Sequence, residues 1–372
     1  MTSAQPLYPT PNPDPFFAAP GNLADLAPGD VVRTRRLDTG LYVGTTIWHV
    51  AFRSTNSAGN PIMAVTTVLI PAGVTNPPLV SYQALINSLG TKCNPSYSLL
   101  NEETLDAWGA VLPLGRGWAI ALPDYLGPTV AYGAARLSGM VTLDSVKALQ
   151  RAPELGLGAS QVALAGYSGG GMASAWAAAL QPSYAPDLKL AGVAAGGIPA
   201  DLEELALGLG FGFHPGFGLA FAAAMGLERE YPERLPISDQ LNDTGLWFRE
   251  ITHDECRRFL LLHGAVRNAE QLAATKSLMD SPDARAVLRE NSLRYFEGVP
   301  QAPTLIWQGV FDELTPFETV AGIAARYCRA GAPITFSPYP IAEHMTTAVA
   351  GLAEAWTFLE ARFRGEPAPT RC

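Results

Sequence analysis

Five residues, Gly166-Tyr167-Ser168-Gly169-Gly170, restrict what this chain can fold into more than any other stretch. They match the pattern Gly-x-Ser-x-Gly, in which a serine sits on a sharp turn between a strand and a helix. The pattern arises by chance in glycine- and serine-rich chains, so its surroundings matter. Residues 161–165 before it form a short apolar run that reads as a buried strand. Residues 171–180 after it are rich in alanine and read as a helix. A serine held on such a turn points its hydroxyl above the sheet. Side chains larger than hydrogen at the flanking positions would collide with the neighbouring strand or helix. The same turn aims N–H groups of the helix N-terminus at the place where negative charge develops in a reaction at that hydroxyl. Ser168 is therefore a candidate nucleophile.

The rest of the chain is apolar enough to build a large core around this turn. It has 372 residues, of which 48% are hydrophobic and 16% charged. The net charge of −9, without clustered lysines and arginines, argues against nucleic acid as a partner. Counts of 36 Gly and 31 Pro indicate many turns and long structured loops. The N-terminal residues lack the basic and apolar regions of a signal peptide. They fit either a cytoplasmic chain or the mature end of an exported one. The four cysteines, Cys93, Cys256, Cys328 and Cys372, match no zinc or redox spacing. An even count allows two disulfides in three pairings, or four free thiols. Cys372, the last residue, is a natural place for a staple.

Read along the chain, apolar runs at 45–52, 61–70, 79–83, 118–122, 161–165, 190–195, 303–309 and 333–337 are strands. The first two are antiparallel and open the sheet. Leu137, Met140, Val141, Val146 and Leu149 recur at helical spacing between 134 and 152. Strands alternating with helices imply an α/β fold, with a mostly parallel central sheet flanked by helices. Residues 199–300 break the rhythm and carry helical stretches, at 269–281 and 281–290 among others. This divides the chain into an extended N-terminal arm (1–30), a first core part with the elbow (31–198), an inserted helical cap or lid (199–300) and a second core part (301–372). Within the cap, residues 205–221 are apolar over a length that raises the question of a membrane span. Their frequent glycines and His214-Pro215 argue against one. Phe211, Phe213, Phe217 and Phe221 read either as cap core or as the lining of an acyl pocket.

A serine nucleophile needs a base, and the base needs an orienting carboxylate. Of five histidines, His49 falls in a strand and His263 in a cap helix, both structural, while His214 and His253 fall in the insertion. His344 follows the last strand and starts the final helix. Asp312 lies in the loop directly after the penultimate strand; Glu313 beside it is out of phase by one residue. Loops at the carboxyl ends of strands are where sites gather in such sheets. The chain order Ser168, Asp312, His344 is that of an α/β-hydrolase. The chemistry of such a triad calls for no metal or organic cofactor.

At this point the chain resembles the secretory lipase family of the α/β-hydrolase fold. The supporting segments run in order along nearly the whole sequence: Pro13-Asp14-Pro15-Phe16, Ser81-Tyr82-Gln83, Lys92-Cys93-Asn94-Pro95-Ser96-Tyr97, Pro123-Asp124-Tyr125, the elbow, Asp312-Glu313 with Thr315-Pro316, and Glu343-His344. The resemblance implies an α/β-hydrolase core, a helical cap after the sixth core strand, and hydrolysis of carboxylic esters. It implies Ser168, Asp312 and His344 as the triad, and the N–H groups of Gly169 and Asn87 as the oxyanion hole. Members of the family usually carry Asp at the position of Asn87; a backbone donor survives that difference. The family's disulfides imply Cys93 with Cys256 and Cys328 with Cys372, and its members are usually exported. The expected partner is a small-molecule or lipid ester, with transient contact at a lipid interface and no transmembrane segment. Two other functions fit the same residues: an acyltransferase that uses an alcohol acceptor, and a non-catalytic lipid-binding protein. Asn242-Asp243-Thr244 also matches a glycosylation sequon, a tripeptide common by chance.

Overall fold

The computed structural model describes residues 5–39, 42–99 and 107–372. Its centre is a nine-stranded sheet: β1 Val31–Leu37, β2 Thr45–Thr55, β3 Pro61–Pro71, β4 Leu79–Gln83, β5 Ala119–Pro123, β6 Val162–Tyr167, β7 Leu190–Gly196, β8 Thr304–Gly309 and β9 Ile334–Tyr339. The spatial order is β1-β2-β3-β5-β4-β6-β7-β8-β9. The pairs β1–β2, β2–β3 and β3–β5 are antiparallel, and every pair from β5–β4 onward is parallel. Twelve helices accompany the described strands. They are α1 Pro95–Ser98, α2 Ala107–Gly115, α3 Ala135–Arg151, α4 Gly169–Tyr184, α5 Leu202–Gly210, α6 Phe217–Glu230, α7 Asp243–Thr252, α8 Arg257–Gly264, α9 Ala269–Leu272, α10 Pro282–Glu290, α11 Phe317–Arg329 and α12 His344–Phe363.

The central strands are apolar at successive positions because both faces of the sheet are covered. Leu79, Val162 and Leu164 pack on one face with Leu137, Val141 and Trp176 of α3 and α4. Their neighbours in sequence, Val80, Ala163 and Ala165, pack on the other with Trp356 and Leu359 of α12. The strand periodicity of two thus sends alternate residues into two separate cores. The sheet order reverses around β4, with β5 on one side and β6 on the other. This is the switch point where open α/β sheets leave a crevice beyond their carboxyl ends.

Three features differ from the sequence reading. The sheet opens one strand earlier, with β1, whose Arg33, Arg35 and Arg36 disguise it as loop. Such charges suit an edge strand. The helix expected over 269–281 ends at Leu272, because Ala273 bridges to Leu241 and the N–H groups of Ala274 and Thr275 donate to the Gln240 carbonyl. The N-terminal segment holds two short 3₁₀ turns and packs Phe16 and Leu23 against Ala51, Met63 and Val65.

Helices α5 to α10 lie between β7 and β8 as an insertion whose Phe217, Phe221, Met225, Phe248 and Leu260 form a small core together with Leu89 of the loop after β4. Two devices tie it to the sheet. Cys93, in the loop after β4, is bonded to Cys256 at the start of α8. Arg229 of α6, only 4% exposed, donates to five backbone carbonyls: Leu7, Leu89, Thr129, Val130 and His253. The second disulfide joins Cys328 of α11 to Cys372. Arg229→Met would leave those five carbonyls without their donor, at about 1–3 kcal/mol for each that water cannot reach. We expect urea unfolding to show a loss of about 3–5 kcal/mol, and Arg229→Lys to fall between; a loss below about 1 kcal/mol would contradict this role.

Candidate active site

The elbow is built by close approach. A Cβ on Gly170 would overlap the carbonyl oxygen of Gln83 at the end of β4, and one on Gly166 would overlap the Gly170 carbonyl. Only hydrogen fits at either position. Ser168, between β6 and α4, has φ 53° and ψ −120°, a strained conformation for a residue with a side chain. Its N–H donates to the Gly196 carbonyl at 2.9 Å, which fixes the turn to β7. Ser168 also occupies the N-cap position of α4, yet its hydroxyl makes no capping bond. That leaves Oγ to another partner.

The partner is His344, the first residue of α12. Its Nε2 lies 3.0 Å from Ser168 Oγ, and its Nδ1 lies 2.8 Å from Asp312 Oδ2. With Nδ1–H donating to the carboxylate, Nε2 carries the lone pair that faces the serine. The carboxylate is fully engaged. Oδ2 also accepts from Gln308 Nε2 at 2.9 Å, and Oδ1 accepts from the N–H groups of Leu314 and Thr315 at 3.0 and 2.7 Å. All three groups are buried, Ser168 at 8%, Asp312 at 9% and His344 at 2% exposure. Tyr167 braces the histidine from below, donating its hydroxyl to the His344 carbonyl at 2.6 Å. Glu313 accepts from the His344 backbone N–H at 3.1 Å and so supports the turn; it is Asp312 that reaches the ring.

Beside the serine stands the loop after β4. Asn87 there is buried, has φ 39°, and lies against Gly169, the first residue of α4. Among the described residues no backbone carbonyl accepts from the N–H of Asn87 or Gly169. Neither N–H is thus spent on a backbone partner. The loop is pinned at each end, by the Tyr125 hydroxyl donating to the Ala84 carbonyl at 2.7 Å and by Arg229 donating to the Leu89 carbonyl at 2.8 Å.

From Ser168 an apolar cavity of about 160 Å³ runs into the insertion. Its wall includes Gly169, Met172, Leu314 and Thr315 of the core and Leu205, Leu209, Ala220, Ala223 and Leu227 of the insertion. A serine activated by a buried imidazole, with N–H donors at hand and an apolar cavity behind, can transfer an acyl group between oxygen nucleophiles.

Residues 103–370 match the family described as secretory lipase. The chain is 32% identical to lipase A of Moesziomyces aphidis, over 98% of this chain and 82% of that one. It is likewise 32% identical to lipase 6 of Candida albicans, over 97% of this chain and 83% of that one. Among solved structures, Candida antarctica lipase A in its closed state superposes with a TM-score of 0.90 at 31% identity, covering 97% of this chain and 88% of that one. This chain belongs to the secretory lipase family. It is therefore a carboxylic ester hydrolase with an α/β-hydrolase fold.

In this lipase the structure brings Ser168, Asp312, His344, Asn87 and Gly169 together, and it sets the other four histidines apart. His49 sits in β2, where burial, then the charge of Arg35, holds its imidazole down to about 4. His263 stacks on Phe259, His214 accepts from the Gly216 N–H, and His253 meets the Glu250 carbonyl. The four phenylalanines expected in an acyl pocket do not line the cavity. Phe217 and Phe221 point into the core of the insertion against Phe248, Phe213 is 73% exposed, and Phe211 lies under the Lys276 ammonium. The helix phase explains the correction: with 217 and 221 turned inward, 219, 220, 223 and 224 of α6 face the cavity. Those small and aliphatic positions were in the sequence, without an aromatic to mark them. Asn242 of the sequon caps α7, its Oδ1 accepting from the Gly245 N–H and its Nδ2 donating to the Gln271 carbonyl.

One buried acid anchors the loop that follows β4. Asp124, at the end of β5, accepts from the Ser96 N–H at 3.0 Å and the Ser96 hydroxyl at 2.5 Å, tying the Cys93 loop to the sheet. Burial pushes its carboxyl up to about 7, and the two Ser96 bonds only partly offset that. The folded form thus binds the proton more tightly than the unfolded chain. Its contribution to stability is full below about pH 4 and is lost as pH rises toward about 7. Asp124→Asn removes this decline. Comparing urea unfolding of both proteins at about pH 5 and about pH 8, we expect the variant to gain on the wild type at the higher pH; a pH-independent difference would show that Asp124 ionises normally.

Proposed function

We propose that this lipase cleaves apolar acyl esters through an acyl-enzyme on Ser168. The observation that supports this most directly is the 3.0 Å and 2.8 Å chain from Ser168 through His344 to Asp312, at the foot of an apolar cavity. Ser168 Oγ attacks the ester carbonyl carbon while its proton passes to His344 Nε2. The carbonyl π pair moves onto oxygen, which accepts from the Gly169 and Asn87 N–H groups. The imidazolium faces Asp312, whose four donors hold its charge in place. Collapse of the tetrahedral species breaks the bond to the alcohol oxygen, which takes the proton from Nε2. Water then repeats the sequence and releases the acid.

In this reading residues 199–300 act as a cap, with the acyl chain lying in the cavity between it and residues of the core, so that the substrate is a lipid or similar apolar ester. The apolar wall also favours a second reading, transfer of the acyl group to an alcohol, because it keeps water scarce at the acyl-enzyme. Phe311, Ile341 and Met345 expose large apolar side chains beside Asp312 and His344, and this supports transient contact with a lipid surface. Among the described residues no helix is long and apolar enough to cross a membrane. Two disulfides and the family's secretory character support export to an oxidising compartment.

The test is hydrolysis of p-nitrophenyl esters from acetate to palmitate by wild type and Ser168→Ala. We expect at least about a 10,000-fold loss of kcat in the variant, with unchanged thermal unfolding, and a wild-type optimum beyond the shortest acyl groups. Turnover that survives in Ser168→Ala, or a wild type whose Ser168 resists a fluorophosphonate, refutes the assignment. Product ratios in water–alcohol mixtures separate hydrolysis from transfer.

A further inference from the structure

We propose that Gln308 is a positioning residue for the candidate triad: its side-chain amide fixes the Asp312 carboxylate and keeps the proton of the reaction on His344. The proposal rests on Ser168 as nucleophile and His344 as base. Gln308 lies on β8, ahead of the loop that carries Asp312, and is fully buried. Its Nε2 donates to Asp312 Oδ2 at 2.9 Å, to the Thr315 carbonyl at 2.9 Å and to Thr315 Oγ1 at 3.1 Å. The carboxylate and the carbonyl only accept, so the amide has one orientation here; reversed, its oxygen would face both. Oε1 is left buried, with no hydrogen bond among the described residues. Buried polar atoms are nearly always satisfied, and an exception calls for a reason. Filling the core does not supply one, since Leu305 and Ile306 of the same strand do that without a polar side-chain atom. The reason we assign is the donor on the same amide.

That donor closes a ring. Gln308 holds Oδ2 of Asp312 and the carbonyl of Thr315, while the Thr315 N–H holds Oδ1 of Asp312 at 2.7 Å. Oδ2 therefore carries two donors, Gln308 Nε2 and His344 Nδ1. A neutral N–H on a carboxylate oxygen favours its charged form and makes that oxygen a poorer base. When Ser168 gives its proton to His344 Nε2, the Nδ1 proton stays on the ring, because Oδ2 is already occupied. The Nε2 proton then goes to the leaving alcohol, and Asp312 gains none. Without the amide, Oδ2 would draw the Nδ1–H more strongly, and the imidazole would hold its second proton to higher pH. The other titratable groups near the ring are Glu313, which accepts from the His344 N–H, Glu343, which caps α12, and Tyr167, which donates to the His344 carbonyl. Gln308 bonds to none of them, so they act alike in wild type and variants.

The discriminating variants are Gln308→Met, which keeps the length and deletes the amide, and Gln308→Glu, which keeps the shape and sets a second carboxylate against Oδ2. We would measure kcat and KM for p-nitrophenyl butyrate across the acid and neutral range, the rate at which a fluorophosphonate labels Ser168 over the same range, and thermal unfolding. Gln308→Met should lose kcat on the order of 10-fold with KM within about twofold, and the acid limbs of kcat/KM and of labelling should both move up by about 0.5–1 pH unit. Gln308→Glu should move them further, since a neighbouring negative charge also favours the imidazolium. Acid limbs in Gln308→Met within about 0.2 pH unit of wild type, whatever its stability, would overturn the proposal and leave Gln308 a brace for its loop. If the methionine variant fails to fold, an unshifted Gln308→Glu overturns it equally. A wild type that resists labelling refutes the nucleophile assignment itself; a labelled wild type beside unshifted variants refutes only the role of Gln308.

Discussion

Everything near the candidate site depends on how closely α4 can approach the end of β4. The carbonyl of Gln83 occupies the space where a side chain on Gly170 would be, and the Gly170 carbonyl occupies the space a side chain on Gly166 would need. With those spaces open, the helix N-terminus slides over the sheet at its switch point. Ser168 is forced into its strained turn as a result, and the loop after β4 comes to rest against Gly169. Asp312 and His344 then need only rise from β8 and β9, two adjacent parallel strands whose register places their loops side by side. A methyl group at position 170 would separate the proposed nucleophile from its proposed oxyanion donors.

Electrostatic order is imposed by short-range hydrogen bonds in a buried setting. Asp312 receives donors from Gln308, Leu314, Thr315 and His344, so its carboxylate cannot swing away from the ring. His344 is fixed at its backbone as well, through Tyr167 and Glu313. The same economy runs through Arg229, whose charge is spread over carbonyl dipoles from separate segments. In the sequence Arg229 is one cation in a helix of mixed character. Its role comes entirely from tertiary packing.

That contrast explains what could be read in advance. The strands that carry the site were legible because parallel strands buried on both faces are unbroken apolar runs, and Ser168, Asp312 and His344, which the structure brings together, could be picked out because they follow three of them in a fixed order. β1 was hidden by the arginines that suit an edge. The short α9 was overread, since nothing local shows that Ala273 will pair with Leu241. The cavity wall was misassigned to phenylalanines, because composition marks a segment as apolar while only the helix phase decides which side faces inward. The cysteine pairing had three solutions on the sequence's own terms; the resemblance singled out the one in which Cys93 meets Cys256 and Cys328 meets Cys372.

Helix α6 serves two neighbours at once. Ala220, Ala223 and Leu227 form part of the cavity wall, while Arg229, half a turn beyond Leu227, grips the carbonyl of Leu89 two residues from Asn87. One helix therefore links the cavity wall to the loop that carries Asn87. In the proposed reading, the fit of an acyl chain against α6 would bear on that loop and so on Asn87, the proposed oxyanion donor.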